Sequence, residues 1–435
     1  MSSPTKPAPG ARLDLSKWRN VPNRLVVMGG LLALIGLVAS GLSKDQPFRQ
    51  FGYSWLLAFM FFLSLGLGSL FLVLVHHLFD AGWSVPIRRF SEHIANLLFP
   101  WMAVLFLPIA VFAPKLYEWM GPQLQANPDH ALHAKAPLFT YTGFYLVSAA
   151  CFGLWWLLSS RLRYWSLQQD ETGAAQCTYK MRFYASWGIF AFAITLTLAA
   201  IMWMKALQHE WFSTMYGVYY FAGSVWLTLA TAYVITMILD RLDLICEVLH
   251  EHQYYFLGSL LFAFTVFYAY IHFSQYFIIW NANMPEETFW YVIREKGSWW
   301  DIGMIIIFGH FFVPFLTLLR IDVKQTFVIM APLCLWAWLM HFFDLSFNIM
   351  PVLHPDGFPL RWLWLDLSCL AFMGGVLAKI FLRDFAAYAP YPQRDPRLLE
   401  AMGMHHPVPT QISGGELDET DQQRDAPLGL DGGDR

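Results

Sequence analysis

The chain has 435 residues, of which 57% are hydrophobic, 18% aromatic and only 14% charged. A soluble protein carries roughly a quarter charged residues, so this composition excludes a soluble globular protein and indicates a polytopic membrane protein. The formal net charge of −3 at pH 7 argues against nucleic acid as a partner.

Ten apolar stretches reach the length of about 20 residues that a helix needs to cross the hydrocarbon core of a membrane. We therefore predict an all-α polytopic membrane protein with ten transmembrane helices, arranged as two four-helix bundles plus two peripheral helices. The predicted spans, numbered 1 to 10 in chain order, are 23–43, 52–79, 94–119, 138–160, 183–206, 214–239, 254–280, 299–319, 324–347 and 361–382.

The two ends of the chain differ in composition from its apolar middle. Residues 1–22 are polar, and no short apolar stretch with a small-residue cleavage site follows them, which predicts a cytoplasmic leader before an uncleaved first span. Residues 384–435 become Pro-rich and then acidic and Gly-rich, which predicts a disordered cytoplasmic tail. The membrane domain is predicted to run from 23 to 383.

The basic residues predict the orientation of the chain. Ten spans place both termini on one side of the membrane. Of the 28 Lys and Arg residues, 20 fall on that side and 8 on the other. Because basic residues are enriched in cytoplasmic loops, we predict that both termini are cytoplasmic.

Span 2 carries a strip of small residues, Ser64, Gly66, Gly68 and Ser69. Such strips let helix backbones approach each other closely. We therefore predict that span 2 packs tightly there against another helix, either in this chain or in a partner.

The cysteines and histidines give no support for a metal or cofactor site in this chain. The five cysteines form no CxxC or CxxCH motif, so zinc, iron–sulfur clusters and covalently bound c-type haem are unsupported. His272, His310 and His341 lie deep in three different spans. No span carries the paired histidines of a b-type cytochrome, although one haem between two of these residues stays open.

Ionisable side chains inside a membrane cost about 2.5 to 3.5 kcal/mol each on insertion scales, so they are functional candidates by default. On span 7, Tyr268, His272 and Gln275 follow one another at spacings of three and four. This spacing places them on one face of the helix, as a polar stripe.

Spans 8 to 10 hold the other candidates. On span 9, His341, Asp344 and Asn348 repeat the spacings of three and four, near the predicted non-cytoplasmic end. On span 8, Asp301 and His310 are nine residues apart, about two and a half turns of an α-helix, so they face opposite sides and cannot form one site by themselves. Span 10 offers Asp366.

Titratable groups with hydroxyls and amides between them suit a proton relay, because histidine and carboxylate side chains accept and return protons. The alternative is that these groups only hydrogen-bond neighbouring helices. Our hypothesis is a proton relay through spans 7 to 10 whose candidates are His272, His341, Asp344, Asp366, Asp301, His310, Tyr268 and Gln275.

Four segments resemble the ActF family of integral subunits from alternative complex III, which is related to the NrfD and polysulfide-reductase membrane anchors. The resemblance covers about residues 23 to 383, and the last segment is the most specific. The segments are FGYSWLLAFMFFLSLGLGSLFLVLVHHLF from Phe51, WMAVLFLPI from Trp101, HEWFSTMYGVYYFAGSVW from His209 and HFSQYFIIWNANMPEETFWY from His272.

The resemblance implies a multi-pass subunit of a quinol:cytochrome c or quinol:oxidase oxidoreductase in a bacterial inner membrane. The implied partners are a homologous quinol-binding membrane subunit, an iron–sulfur protein, c-type cytochrome subunits and a terminal oxidase. Haem c and iron–sulfur clusters are expected in those partners, with none in this chain, and quinol is the substrate of the complex.

The resemblance stops short of a quinone site in this chain. In the homologous subunit the quinol pocket uses a histidine and an aspartate on early helices, and spans 3 and 4 of this chain have neither in their apolar interiors. No residue is therefore assigned to quinone binding, and we do not expect this subunit to be catalytic alone.

Two other functions stay open. A purely structural anchor of the complex predicts that every buried His and Asp tolerates replacement. A stand-alone secondary transporter commonly shows inverted repeats with Gly- or Pro-broken spans in matching positions, and the sequence contains no clear pair of this kind.

Overall fold

A computed structural model describes residues 12–14, 20–42, 47–136 and 138–403, and every regular element within them is helical. Ten of the described helices are long and apolar enough to span a membrane, which confirms the predicted all-α polytopic fold. Spans 1 to 10 are Asn20–Gly41, Arg49–Leu78, Gly82–Leu116, Tyr141–Thr172, Ala175–Leu207, Tyr216–Arg241, Glu251–Ala282, Ser298–Leu318, Phe327–Val352 and Leu360–Ala386. We call the side on which span 1 begins and span 10 ends the near side, and the opposite side the far side.

The spans pack as two four-helix bundles with two peripheral helices, as predicted. Spans 2 to 5 form the first bundle and spans 6 to 9 form the second. Spans 2 and 6 are the most buried of the ten, and they pack on each other where the bundles meet. Spans 1 and 10 pair closely with each other and lie against span 2.

The small-residue strip of span 2 lies at the contact between the bundles. Gly68 packs against Thr228 and the Ser224 carbonyl of span 6, at a separation that leaves no room for a Cβ atom. Across the same contact, Tyr220 donates a hydrogen bond to the Met60 carbonyl at 2.7 Å. The predicted close helix approach is therefore confirmed, and its partner is span 6 of the same chain.

Span 3 consists of two α-helices where the sequence predicted one span over 94–119. The helices are Val85–Ala95 and Trp101–Leu116, and Pro100 precedes the second. Proline has no N–H to donate to a helix, which explains the break. The first helix was missed because it carries Arg88 and Arg89, whose charge hides it from a search for apolar stretches.

Five short helices connect the spans or follow them. Pro285–Arg294 follows span 7 closely, and Asn283, the residue directly after the end of span 7, has a positive φ of 49°. This residue fits the Asn/Pro turn visible in the sequence, since asparagine tolerates the left-handed conformation that ends many helices. The others are Pro122–Ala126, His130–Ala134, Ile321–Gln325 and Leu398–Ala401.

The prediction of a disordered tail from residue 384 is wrong for the segment directly after span 10. Residues 387–403 lie along the near side, and Asp395 is 4% exposed. Arg88 Nη1 donates to Asp395 Oδ2 at 2.6 Å, and Arg397 Nε lies 3.3 Å from Asp395 Oδ1. A buried arginine needs a carboxylate partner, and this one is 307 residues away in sequence. The predicted tail beyond 403 and most of the leader 1–22 lie outside the described residues.

Candidate functional site

The candidate site is centred on Asp344 of span 9, which is 2% exposed. Tyr268 of span 7 donates a hydrogen bond to Asp344 Oδ1 at 2.7 Å, and Tyr219 of span 6 donates to the same oxygen. The two phenol oxygens are 3.1 Å apart. Three spans of the second bundle therefore converge on one carboxylate.

Asn348 extends these hydrogen bonds along span 9 toward the far side. Its Nδ2 donates to the Tyr219 hydroxyl at 3.0 Å, and its Oδ1 accepts from the Tyr216 hydroxyl at 3.1 Å. All five side chains are buried. We call Tyr216, Asn348, Tyr219, Asp344 and Tyr268 the Asp344 group; it is one continuous chain of hydrogen bonds.

Two of the predicted histidines flank Tyr268. The His310 ring is stacked between the rings of Trp226 and Tyr268, with both pairs of centroids 3.8 Å apart. The His272 ring lies parallel to the Tyr268 ring at 5.9 Å and is 5.6 Å from the Tyr219 ring. Neither nitrogen of His310 has a hydrogen-bond partner in the part of the chain that the structure describes.

A π-helical segment, Ile306–Phe312, presents His310 to this site. A π-helix has wider turns than an α-helix, so the side chains after it point in a different direction around the helix axis. Such segments are frequent at functional sites. His310 is fully buried, whereas Asp301 is exposed near the start of span 8. The two side chains differ in burial, and Asp301 does not join the Asp344 group.

His341 lies between the Asp344 group and span 2. Its Nε2 is 2.9 Å from Ser64 Oγ, and its Nδ1 has no partner among the described residues. A Cβ atom on Gly223 of span 6 would be 3.3 Å from His341 Cε1 and 3.9 Å from Asp344 Oδ2. Glycine at this position lets span 6 approach the two titratable groups together.

Gln275 and Asp366 lie apart from the Asp344 group. Gln275 accepts a hydrogen bond from Ser213 at 2.9 Å and donates to Tyr291 at 3.1 Å, near the far side. Asp366 faces Ser54 of span 2, but among the described residues its carboxyl oxygens have no partner with good hydrogen-bond geometry. Neither residue is linked to Asp344 by a direct contact in the described structure.

A short polar chain leads from Ser54 to the far side. Gln50 Nε2 donates to Ser54 Oγ at 3.2 Å, and Gln50 Oε1 is 2.6 Å from His354 Nε2. Burial lowers the pKa of His354, which lies in the loop before span 10, so its imidazole is mainly neutral at neutral pH. This chain ends at Ser54, which Asp366 faces without a hydrogen bond of good geometry.

Arg294 fixes the far end of span 9. Its Nε and Nη2 donate to the carbonyl oxygens of Phe347 and Asn348 at 2.8 and 2.9 Å. A cation is favoured at such helix ends because the last carbonyls carry partial negative charge. Burial lowers the pKa of Arg294 to about 9, so the side chain is still charged at neutral pH and holds the end of the helix that carries Asp344.

A cavity lies between spans 7 and 8 beside the site. Its volume is ≈ 480 Å³, and Tyr268, His272 and Arg294 contribute to its mainly aromatic wall. One member of the Asp344 group, Tyr268, therefore lies in the wall of this cavity.

The sequence analysis missed Tyr216, Tyr219, Trp226 and Ser64. A signal for the tyrosines was present, because Tyr216, Tyr219 and Tyr220 follow one another at spacings of three and one at the start of span 6. Tyrosine near a span end is also typical of the membrane interface, so the pattern does not separate the two roles. Ser64 is an ordinary member of a small-residue strip in the sequence.

Comparison of the sequence with protein-family models and with curated proteins finds no match.

Proposed function

We propose that this chain is a membrane subunit of a quinol-oxidising respiratory complex and that its second bundle conducts protons through the Asp344 group. The observation that supports the relay is the convergence of Asp344, Tyr219 and Tyr268 in one buried hydrogen-bonded group beside His272 and His341. Titratable groups are costly to place in a membrane interior, so those that are present are functional candidates. Here residues from three spans share one site.

The chemistry available is proton transfer between neighbouring oxygens and nitrogens. A carboxyl or phenol group both donates and accepts, so a proton that Tyr268 passes to Asp344 is replaced by one that Tyr268 receives from the side of the neighbouring cavity. Asn348 donates to Tyr219 and orients it, without carrying a proton itself. His272 and His341 add imidazoles, whose ring nitrogens can accept and return protons. Asp366, which faces Ser54 at the end of the chain through Gln50 and His354, is a separate candidate toward the far side.

The respiratory role rests on the resemblance to the ActF family. A quinol releases two protons with its two electrons, so a complex that oxidises it needs proton paths as well as electron carriers. In this proposal the near side is the cytoplasm of a bacterium and the chain lies in its inner membrane. A homologous subunit binds quinol, and the iron–sulfur protein and c-type cytochromes carry electrons to cytochrome c or a terminal oxidase.

The relay is tested with His341→Leu and Asp344→Asn in the assembled complex, by measuring quinol oxidation together with proton release. We expect both variants to lower the number of protons released per quinol. Unchanged turnover and unchanged proton release in complexes that assemble normally would remove the relay and leave the purely structural anchor.

The respiratory assignment has a simpler test. The chain is purified from its native membrane in mild detergent, and a redox difference spectrum is recorded together with a haem stain of the separated subunits. We expect c-type haem on co-purifying subunits and none on this one. A single haem-free band without partners contradicts the respiratory complex and favours a stand-alone transporter.

A further inference from the structure

The far-side loops bring together three side chains of the kinds that bind metal ions. Asp129 belongs to the loop between spans 3 and 4, and His209 and Glu210 belong to the loop between spans 5 and 6. Their donor atoms all lie within 4.8 Å of one another. Asp129 and His209 are 80 residues apart in sequence, so no sequence spacing pointed to this group.

Two of the three side chains are already held in place by the fold. Asp129 Oδ1 accepts a hydrogen bond from the Leu132 amide at 2.7 Å, as the cap of the helix His130–Ala134. Its other oxygen, Oδ2, is 2.8 Å from His209 Nε2. His209 is 5% exposed, and Lys135 Nζ donates to its carbonyl oxygen.

Two lysines, Lys135 and Lys205, lie beside Asp129, His209 and Glu210. Their positive charges would repel a metal ion at this position. Lys135 Nζ donates to the carbonyl oxygens of His209 and Trp211 and so has hydrogen-bond partners other than the two carboxylates. Lys205 Nζ lies over the ring of Phe139, 5.4 Å from its centroid, and so has a partner outside the group. Glu210 is exposed and can turn toward the other two ligands.

We propose that Asp129, His209 and Glu210 form a binding site for a divalent transition metal, best suited to Zn²⁺. Zinc takes imidazole nitrogen and carboxylate oxygen ligands, most often four in number, and a water molecule completes the set here. The absence of cysteine motifs in the sequence does not bear on this site, because none of its ligands is a cysteine. The bound ion crosslinks two loops at the far end of the first bundle. The site shares no residue with the proposed proton relay.

The site is tested by calorimetric titration of the chelator-treated, full-length protein with ZnCl₂ in excess Mg²⁺. We expect one Zn²⁺ per chain, and no displacement by Mg²⁺, which prefers a shell of oxygen ligands and water. His209→Ala and Glu210→Gln weaken binding by at least about tenfold. His133→Ala is the matched control, because His133 is exposed on the neighbouring short helix and outside the group.

Asp129→Asn separates metal binding from loop structure. Asparagine caps a helix about as well as aspartate, so the short helix is kept while the charged ligand is lost. We expect this variant to keep the unfolding temperature of the zinc-free protein and to lose the rise in that temperature which Zn²⁺ produces in the unaltered chain. Equal zinc binding by the His209→Ala and His133→Ala variants overturns the proposal.

A measurement on the unaltered protein covers the case in which a variant fails to fold. Co²⁺ replaces Zn²⁺ in such sites, and its visible absorption reports its coordination geometry. We expect the intense spectrum of a four- or five-coordinate ion. The weak spectrum of a six-coordinate hydrated ion means that the three side chains do not bind the metal together and also overturns the proposal.

Discussion

Tyr219 and Tyr220 are neighbours on span 6, yet their hydroxyl groups contact different parts of the molecule. Tyr219 donates to Asp344 and accepts from Asn348, whereas Tyr220 donates to the Met60 carbonyl of span 2. Both side chains are buried. The pair therefore separates the role of a hydroxyl in the Asp344 group from the general value of a buried hydrogen bond.

We predict that Tyr219→Phe lowers proton release in the assembled complex and that Tyr220→Phe does not. Each change removes a buried hydroxyl and costs about 1 kcal/mol in the free energy of unfolding, so both variants have similar stability. Only the first interrupts the chain between Asn348 and Asp344. The measurement is protons released per quinol, with thermal unfolding of both variants alongside; equal proton release contradicts a role for Tyr219.

Several residues of the candidate site could be predicted from the sequence alone. His341, Asp344, His272, His310 and Tyr268 were found because polar groups in apolar helices stand out, and the structure places them together. Their order could not be predicted, because it depends on how spans 6 to 9 rotate against one another. The stacking of His310 between two aromatic rings further depends on a π-helical segment, which has no clear signal in the sequence.

At the scale of the helices, the contact between spans 2 and 6 holds the two bundles together. We predict that Gly68→Ala destabilises the protein by about 1 to 3 kcal/mol, the usual effect of overpacking, because a Cβ atom there meets Thr228 and the Ser224 carbonyl. Gly153→Ala on span 4 is the control, since no packing neighbour among the described residues lies within 4 Å of its Cβ position. It should be neutral or stabilising, because alanine favours helix.

The two variants are compared by thermal unfolding in the same detergent. A lower unfolding temperature for Gly68→Ala than for Gly153→Ala supports the close contact of spans 2 and 6. Equal unfolding temperatures mean that the helices can separate at no cost, which contradicts the packing described for the centre of the molecule.

The helices also show why the spans were predictable and the first helix of span 3 was not. An apolar stretch of about 20 residues is a strong signal by itself. The helix Val85–Ala95 is short and carries Arg88, Arg89 and Glu92, so it resembles a polar connecting loop. Arg88 and Arg89 pair with Glu92 of the same helix and also with Asp395 and Asp170 from distant segments. No local pattern predicts the distant partners.

At the scale of the whole molecule, the segment after span 10 is held against the near side by the ion pair between Asp395 and Arg88. We predict that Asp395→Asn destabilises the protein by about 3 kcal/mol, since it leaves buried Arg88 without one of its two carboxylates. Asp384→Asn is the control, because the Arg383–Asp384 pair is at the surface and such pairs contribute about 0 to 1 kcal/mol. The measurement is the rate of tryptic cleavage after Arg394 and Arg397, which rises only in Asp395→Asn.

The same contact predicts a dependence on pH. Burial alone raises the pKa of Asp395, but the charges of Arg88 and Arg397 outweigh burial and lower it to about 2, against 3.8 in the unfolded chain. A lowered pKa in the folded state means that the stabilisation is present above about pH 4 and is lost as the pH falls toward 2; it amounts to about 2 kcal/mol. The unfolding free energies of the unaltered protein and Asp395→Asn should therefore converge in that range, and a constant difference contradicts the ion pair.

The central claim is that Asp344 changes its protonation state as the complex works. The most direct measurement is a redox-induced infrared difference spectrum of the assembled complex, read at the carboxyl C=O stretch. We predict a band that shifts in D₂O, is lost in Asp344→Asn and is kept in the surface control Asp384→Asn. An identical carboxyl region in the unaltered complex and in Asp344→Asn would contradict the relay.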